Sequence, residues 1–188
     1  MSLNLPHLQD AQNLLKRAVT DSQVLKHCQA TRQKALKIAR QVASKISVNF
    51  HLLELGALLH DIGRARTHDV THGFVGGQIL FEHGYPMSLV LIVERHVLGG
   101  FTALEAIALG LPRRDFLPQS WEEKIVCVAD KLGVFEYDEI EYPKRWLPSL
   151  DSRFAELTRR YGVANPFLAS MQRARNYTAE LIALAIEE

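Results

Sequence analysis

The sequence is poor in cysteine, in charge of one sign, in long apolar runs and in alternating strand patterns, and each shortage narrows what the chain is. Only Cys28 and Cys127 occur, too few to staple a scaffold with disulfides and normal for a reducing compartment. Lysine and arginine number 22 against 21 aspartates and glutamates, so a formal charge of +1 gives no global field to recruit nucleic acid or a membrane surface. No apolar run reaches the roughly 18 residues that a spanning helix needs. Residues 1–10 hold Pro6 and polar groups where a secretory leader needs a basic start and an apolar stretch. The expectation is a cytoplasmic protein with no membrane partner.

What is present is 188 residues with 47% apolar and 23% charged side chains and a mean hydropathy of -0.05, the proportions of a globular protein. Disordered and fibrous classes are excluded, and the length suits one domain, residues 1–188, with one sizeable core. Helical periodicity runs almost throughout, so the expected fold class is all-α. Leu8, Ala11, Leu14, Leu15 and Ala18 mark a first amphipathic helix. Thr31, Ala35, Ile38, Val42 and Ile46 form a second stripe, with Lys34, Lys37, Gln41 and Lys45 assigned to the opposite, solvated face. Residues 51–62 are apolar at nearly every position, the pattern of a central helix covered on all sides, and Gly63 suits the left-handed residue that closes such a helix.

A loop over 64–71 follows, then a helix over 73–82 and another with Ser88 as its N-cap and Leu89, Ile92 and Val93 inward. Thr102 caps a short helix, and residues 121–132 form one more buried helix. Beyond it comes an acidic stretch over 136–141. Pro143 and Pro148 then break the pattern before C-terminal helices over about 150–161 and 167–186. These helices, about 150–188, read as an extension packed on a core of about 20–135.

The chemistry concentrates at His60 and Asp61, at the end of the apolar central helix in the string Leu58, Leu59, His60, Asp61, Ile62, Gly63. An unpaired buried carboxylate costs several kcal/mol or takes up a proton, and a helix C-terminus carries a partial negative charge. Both effects call for a cation. His27 extends the second stripe back by one turn, His96 extends the Leu89, Ile92, Val93 face forward, His72 starts the line of Val75, Gly76 and Ile79, and Asp130 shares a face with Val126. Imidazole and carboxylate together suit zinc, iron, manganese, cobalt or nickel, and the absence of an all-oxygen shell argues against calcium. Taken singly, a histidine on an apolar stripe is more often a hydrogen-bonded core residue than a ligand; their joint occurrence reverses that reading.

In order and placement, His27, then His60 and Asp61 with Ile62 and Gly63, then Asp130 resemble the HD-domain metal-dependent phosphohydrolase superfamily in its HDIG form. The resemblance spans residues 27–132. It implies an HD-domain helical bundle in which His27, His60, Asp61 and Asp130 hold one divalent metal. His72 and His96 match the two extra histidines of the two-metal subgroup, in which the aspartate of the HD pair bridges both ions. His68, in the loop just before, is the rival to His72. The chain lacks the GYP string and the consecutive histidines of the HD-GYP branch.

The resemblance further implies hydrolysis of a phosphate ester or anhydride, of a nucleotide or dinucleotide, by hydroxide that a divalent ion makes available near neutral pH. Asp61 would hold the nucleophile in line, and Arg64, Arg66 or Lys131 would stabilise phosphoryl charge. The expected partner is a small phosphorylated molecule. Paired arginines without interleaved aromatics give no nucleic-acid surface. The same ligand set also permits a di-iron oxygenase, or a regulatory module that keeps metal for structure. His7, His51 and His83 read as surface and helix-end residues, and the two cysteines as small buried thiols.

Overall fold

The computed structural model describes residues 5–133, 142–162 and 165–186. Among these residues nine α-helices are joined by loops and 3-10 turns, with no strand. In chain order they are α1 (Leu8–Ala18), α2 (Ser22–Val42), α3 (Phe50–Leu59), α4 (His72–Glu82), α5 (Met87–Arg95), α6 (Ala103–Ala108), α7 (Trp121–Lys131), α8 (Trp146–Tyr161) and α9 (Asn165–Ala185). The acidic stretch 136–141 lies outside the described residues.

The all-apolar segment becomes α3, started by Asn49, whose side chain accepts from the Leu52 N–H. Every residue from Leu52 to Leu59 except Glu54 is buried, because α1, α2, α5 and α7 pack around the helix. Glu54 escapes the core by pairing with Arg32 of α2. Small residues set the helix spacing. A Cβ on Gly56 would stand 2.6 Å from Ile92 of α5, and one on Gly76 of α4 would stand 2.7 Å from Val93 of α5. Helices α8 and α9 pack on each other, and α9 also lies against α2 and α7. No helix of the described residues is long and apolar enough to cross a membrane.

Four local expectations change in the folded chain. Gly63 is not the left-handed closure of α3. It sits in a 3-10 turn, Ile62–Ala65, and the left-handed glycines are Gly84, Gly100, Gly110 and Gly162. Glycine is required at 63 by proximity: a Cβ there would fall 1.9 Å from the His72 carbonyl oxygen and 2.6 Å from the Gly76 nitrogen. Ser88 is not a cap; α5 starts from Pro86, and Ser88 lies inside its first turn. Pro148 does not precede α8 but falls in its first turn, where proline's missing N–H leaves no helical bond unmade.

The fourth change concerns Lys34, which is buried instead of solvated, its ammonium donating to the Leu132 carbonyl. Position 34 lies seven residues after His27 and three after Thr31, so it falls at the edge of the inward stripe, a signal masked by the residue's charge. Burial, with the Lys131 and Arg153 cations against the help of Asp130, pushes the Lys34 ammonium down to about 8. The unfolded chain therefore holds the extra proton between about pH 8 and the ordinary lysine value of about 10.4, so this group's contribution to stability rises with pH across that window. Urea unfolding of the wild type and Lys34→Met should show the wild type gaining roughly 3 kcal/mol on the variant over that range. A gap independent of pH would contradict it.

Candidate metal centre

Five helices deliver six polar side chains to one point. His27 projects from α2, His60 and Asp61 follow the last residue of α3, His72 opens α4, His96 follows the last residue of α5, and Asp130 is the penultimate residue of α7. All six sequence-selected ligands thus come together. His60 and His96 are almost fully buried, as is Asp61 at 3% exposure. His68 is exposed, which leaves His72 as the histidine in the centre.

Three of the four rings are oriented by one local device. The Nδ1–H of His60 donates to the Ala57 carbonyl at 2.8 Å, that of His72 to Asp69 at 2.6 Å, and that of His96 to Val93 at 2.7 Å. In each case the acceptor lies three residues back, so the proton is placed on Nδ1 and the Nε2 lone pair is aimed at the centre. This is a consequence of local sequence: at the ends of α3 and α5 the ring folds back onto a carbonyl of the last helical turn, and at the start of α4 onto the Asp69 carbonyl of the turn that leads into the helix.

Asp61 divides the centre in two. Its Oδ2 faces His60 Nε2 at 3.7 Å and His27 Nε2 at 3.8 Å; its Oδ1 faces His72 Nε2 at 3.1 Å and His96 Nε2 at 3.6 Å. On the first side His27 Nε2 lies 2.8 Å from Asp130 Oδ1 and 3.1 Å from His60 Nε2. On the second, His72 Nε2 and His96 Nε2 are 3.2 Å apart.

The charges follow this packing. Burial opposes ionisation of Asp61, but the charge of His60 beside it, the largest opposing influence, holds its carboxyl well below the usual carboxylate range. Asp130 is likewise held low against burial by Lys131, His27 and His60. Burial works against the His60 imidazolium too, yet Asp61 and Asp130 raise it overall. His96 goes the other way: burial, with His60 and His72 beside it, pushes it down to about 3, so its ring is neutral.

This donor set fits a divalent metal. The Oδ1 of Asp61 is buried without a hydrogen-bond partner, and it faces two Nε2 atoms whose rings carry their proton on Nδ1. Three lone pairs converging in a dry site repel one another, and a cation reverses the sign of that interaction. The residues that could hold it fall into two overlapping groups: His27, His60 and Asp130, and His60, Asp61 and His96.

The basic residues sort differently from the expectation. Arg64 is in the centre, its Nε donating to Asp61 Oδ2 at 2.7 Å. Arg66 is on the surface, paired with Glu82 of α4 at 2.8 Å, because the 3-10 turn carries it away from the site. Lys131 is buried and bonded to Asp130 Oδ2. Both thiols are spectators here. Burial pushes Cys127 up to about 12 and raises Cys28 further, so each remains a protonated core residue.

A bundle of helices enclosing a buried four-histidine, two-aspartate centre defines a class of helical domains built to take divalent metal. The HD domain family model matches residues 24–133, and the chain belongs to that family. An uncharacterized protein of Methanocaldococcus jannaschii is 47% identical over 123 residues, 65% of this chain and 72% of that protein. A tRNA (cytidine(56)-2'-O)-methyltransferase of Picrophilus torridus is 40% identical over 63% of this chain, and this chain spans only 34% of that protein. Ribonuclease Y of Thermosipho melanesiensis is 28% identical over 56% of this chain and 23% of its own length. The crystal structure of the HD domain of the L. monocytogenes phosphodiesterase PgpH in complex with cyclic-di-AMP superposes with a TM-score of 0.53 over 94% of this chain and 98% of that one, at 17% identity. That likeness is one of fold.

Proposed function

We propose that this chain is a metal-dependent phosphohydrolase that cleaves a phosphate ester or anhydride of a nucleotide or dinucleotide. In this reading His27, His60 and Asp130 hold one divalent ion, His72 and His96 hold a second, and Asp61 is shared by both. The observation that carries it is the division of Asp61, one oxygen turned to each histidine pair, with one of those oxygens otherwise unsatisfied. The similarity to ribonuclease Y, named for cleavage of phosphodiesters, supports the reaction class. Divalent ions at such a centre supply Lewis-acid activation of water and of phosphoryl oxygens.

The chain's own residues supply the rest. Asp61 fixes the axis along which a phosphorus is approached, since its two oxygens define the two halves of the centre. Arg64, tied to Asp61 through Nε, keeps its two Nη groups for a substrate oxygen and enters already oriented, which lowers the entropy lost on engaging phosphate. Lys131 is buried and already paired with Asp130, so its first role is to offset that carboxylate's charge. Of the two cations Arg64 is the better placed.

Metal analysis of protein purified without chelator should return two ions per chain. The loaded protein, given manganese, cobalt or iron, should turn over a member of a panel of mononucleotides, dinucleoside polyphosphates and cyclic dinucleotides. Turnover of RNA alone would overturn the substrate class. Loaded protein that turns over neither a panel member nor RNA, or oxygen uptake with a polyol instead, would overturn the hydrolase.

A further inference from the structure

All the metal-centre residues lie within the HD match, residues 24–133, and α9 lies wholly outside it. Yet α9 grips the turn that follows one of the ligands. His96 ends α5, and the chain then turns through Val97, Leu98, Gly99 and Gly100, with the Gly100 N–H closing the turn onto the Val97 carbonyl at 2.9 Å. Leu98 has φ 52, the only non-glycine among the described residues in the left-handed region. A leucine there is strained and persists only where its surroundings over-determine it.

The surroundings here are specific. Ser170 of α9, fully buried, accepts from the Gly99 N–H at 3.0 Å and donates to the Gly100 carbonyl at 2.6 Å, satisfying two backbone groups with one hydroxyl. Arg173, one turn further along α9, donates to the same Gly100 carbonyl at 2.9 Å and is itself held by Glu105 of α6 at 2.6 Å. From the other side, the Cys127 thiol of α7 donates to the Leu98 carbonyl. Contact between turn and helix is direct: a Cβ on Gly99 would lie 2.1 Å from the Ser170 carbonyl oxygen and 2.5 Å from the Ala174 nitrogen.

We propose that Ser170 and Arg173 are positioning residues for His96, and that α9 thereby sets the affinity of the half of the centre built on His72, His96 and Asp61 Oδ1. The inference rests on the two-ion reading above. His96 has no helical turn after it: its ring is turned by the Val93 carbonyl, and its backbone runs straight into the Val97–Gly100 turn, whose Gly99 N–H and Gly100 carbonyl are held by α9. α9 also packs on α2 and α7, which carry His27 and Asp130, but the Ser170 and Arg173 side chains bond to no residue of that half, so it should be indifferent to losing the clamp. Hydrogen bonds that orient a ligating side chain alter metal affinity by about 10- to 100-fold, and a clamp acting through the ligand's backbone is expected at the lower end of that range.

The experiment uses the full chain, stripped of metal and titrated with manganese by calorimetry, for wild type, Ser170→Ala, Arg173→Gln, His96→Gln and Thr178→Ala. Thr178 is the control: a buried hydroxyl on α9 that bonds only within its own helix, to the Ala174 carbonyl. Ser170→Ala and Arg173→Gln should weaken the second ion at least about tenfold and leave the first unchanged. His96→Gln should abolish the second, and Thr178→Ala should change neither, whatever each does to Tm. A readout independent of metal accompanies it: histidine-selective nitrogen spectra of the stripped protein, in which Ser170→Ala should shift or broaden the His96 signals and spare those of His27.

Unchanged affinities together with unmoved His96 signals would overturn the proposal while leaving two-ion binding in place, and so would equal losses in Ser170→Ala and Thr178→Ala. A wild type that takes one ion, with His96 signals that still respond to Ser170→Ala, would overturn the two-ion reading and keep the positioning role. One ion and no response would end both.

Discussion

Asp61→Asn is expected to lower turnover at least about 1,000-fold, equivalent to about 4 kcal/mol of lost transition-state stabilisation, and to leave fewer than two ions per chain. The amide has the shape of the carboxylate but one acceptor oxygen in place of two. Whichever way it is turned, an NH2 group faces one half of the centre, toward either the His72 and His96 lone pairs or Arg64 and His60. Bridging is therefore lost whatever rotamer is adopted. The fold should survive, because the amide keeps the shape of the carboxylate and its oxygen can still accept from Arg64, which is partly exposed. Thermal unfolding of stripped wild type and variant should differ by a few degrees at most, so that lost activity is not lost folding. A variant that keeps two ions and turns over within tenfold of wild type would exclude Asp61 as the shared ligand.

Gly63→Ala is expected to destabilise the chain by on the order of 4 kcal/mol, an effect seldom reached by adding one methyl. The reason is that the methyl would meet backbone, not a side chain that can rotate away: the His72 carbonyl oxygen at 1.9 Å and the Gly76 nitrogen at 2.6 Å. Relief requires α4 to move off the 3-10 turn, and His72 is the first residue of α4. Denaturant unfolding should show the loss in stability. Metal titration of whatever folds should show the His72 half of the centre weakened ahead of the His27 half. A variant as stable as wild type would mean that α4 can retreat at no cost.

These two positions are adjacent but one in the string that carries the resemblance, and they were legible to different degrees. Asp61 stood out because a carboxylate at the end of an apolar helix has an electrostatic cost that any reader of the sequence can recognise. Gly63 was recognisable as necessary, yet its local reading, a left-handed closure, gave the wrong reason. The right one is a contact with a helix that begins nine residues later. Lys34 misled for the converse cause: its charge suggested solvent, whereas its spacing from His27 placed it at the inward edge of α2.

Periodicity by itself determined that the chain is helical, that α3 is the covered helix, and that His27, His72, His96 and Asp130 lie on inward faces of their helices. Those are properties of residues three and four apart on one helix, and the folding back of a histidine onto the carbonyl three residues before it is equally local. Tertiary structure alone decided which oxygen of Asp61 faces which histidines, that His72 and not His68 enters the centre, and that Arg64 turns inward while Arg66 pairs with Glu82. It alone brought Ser170 to Gly99 and Gly100. Each of these is a contact between segments whose separation along the chain carries no periodic signal, and its geometry exists only once the helices have packed.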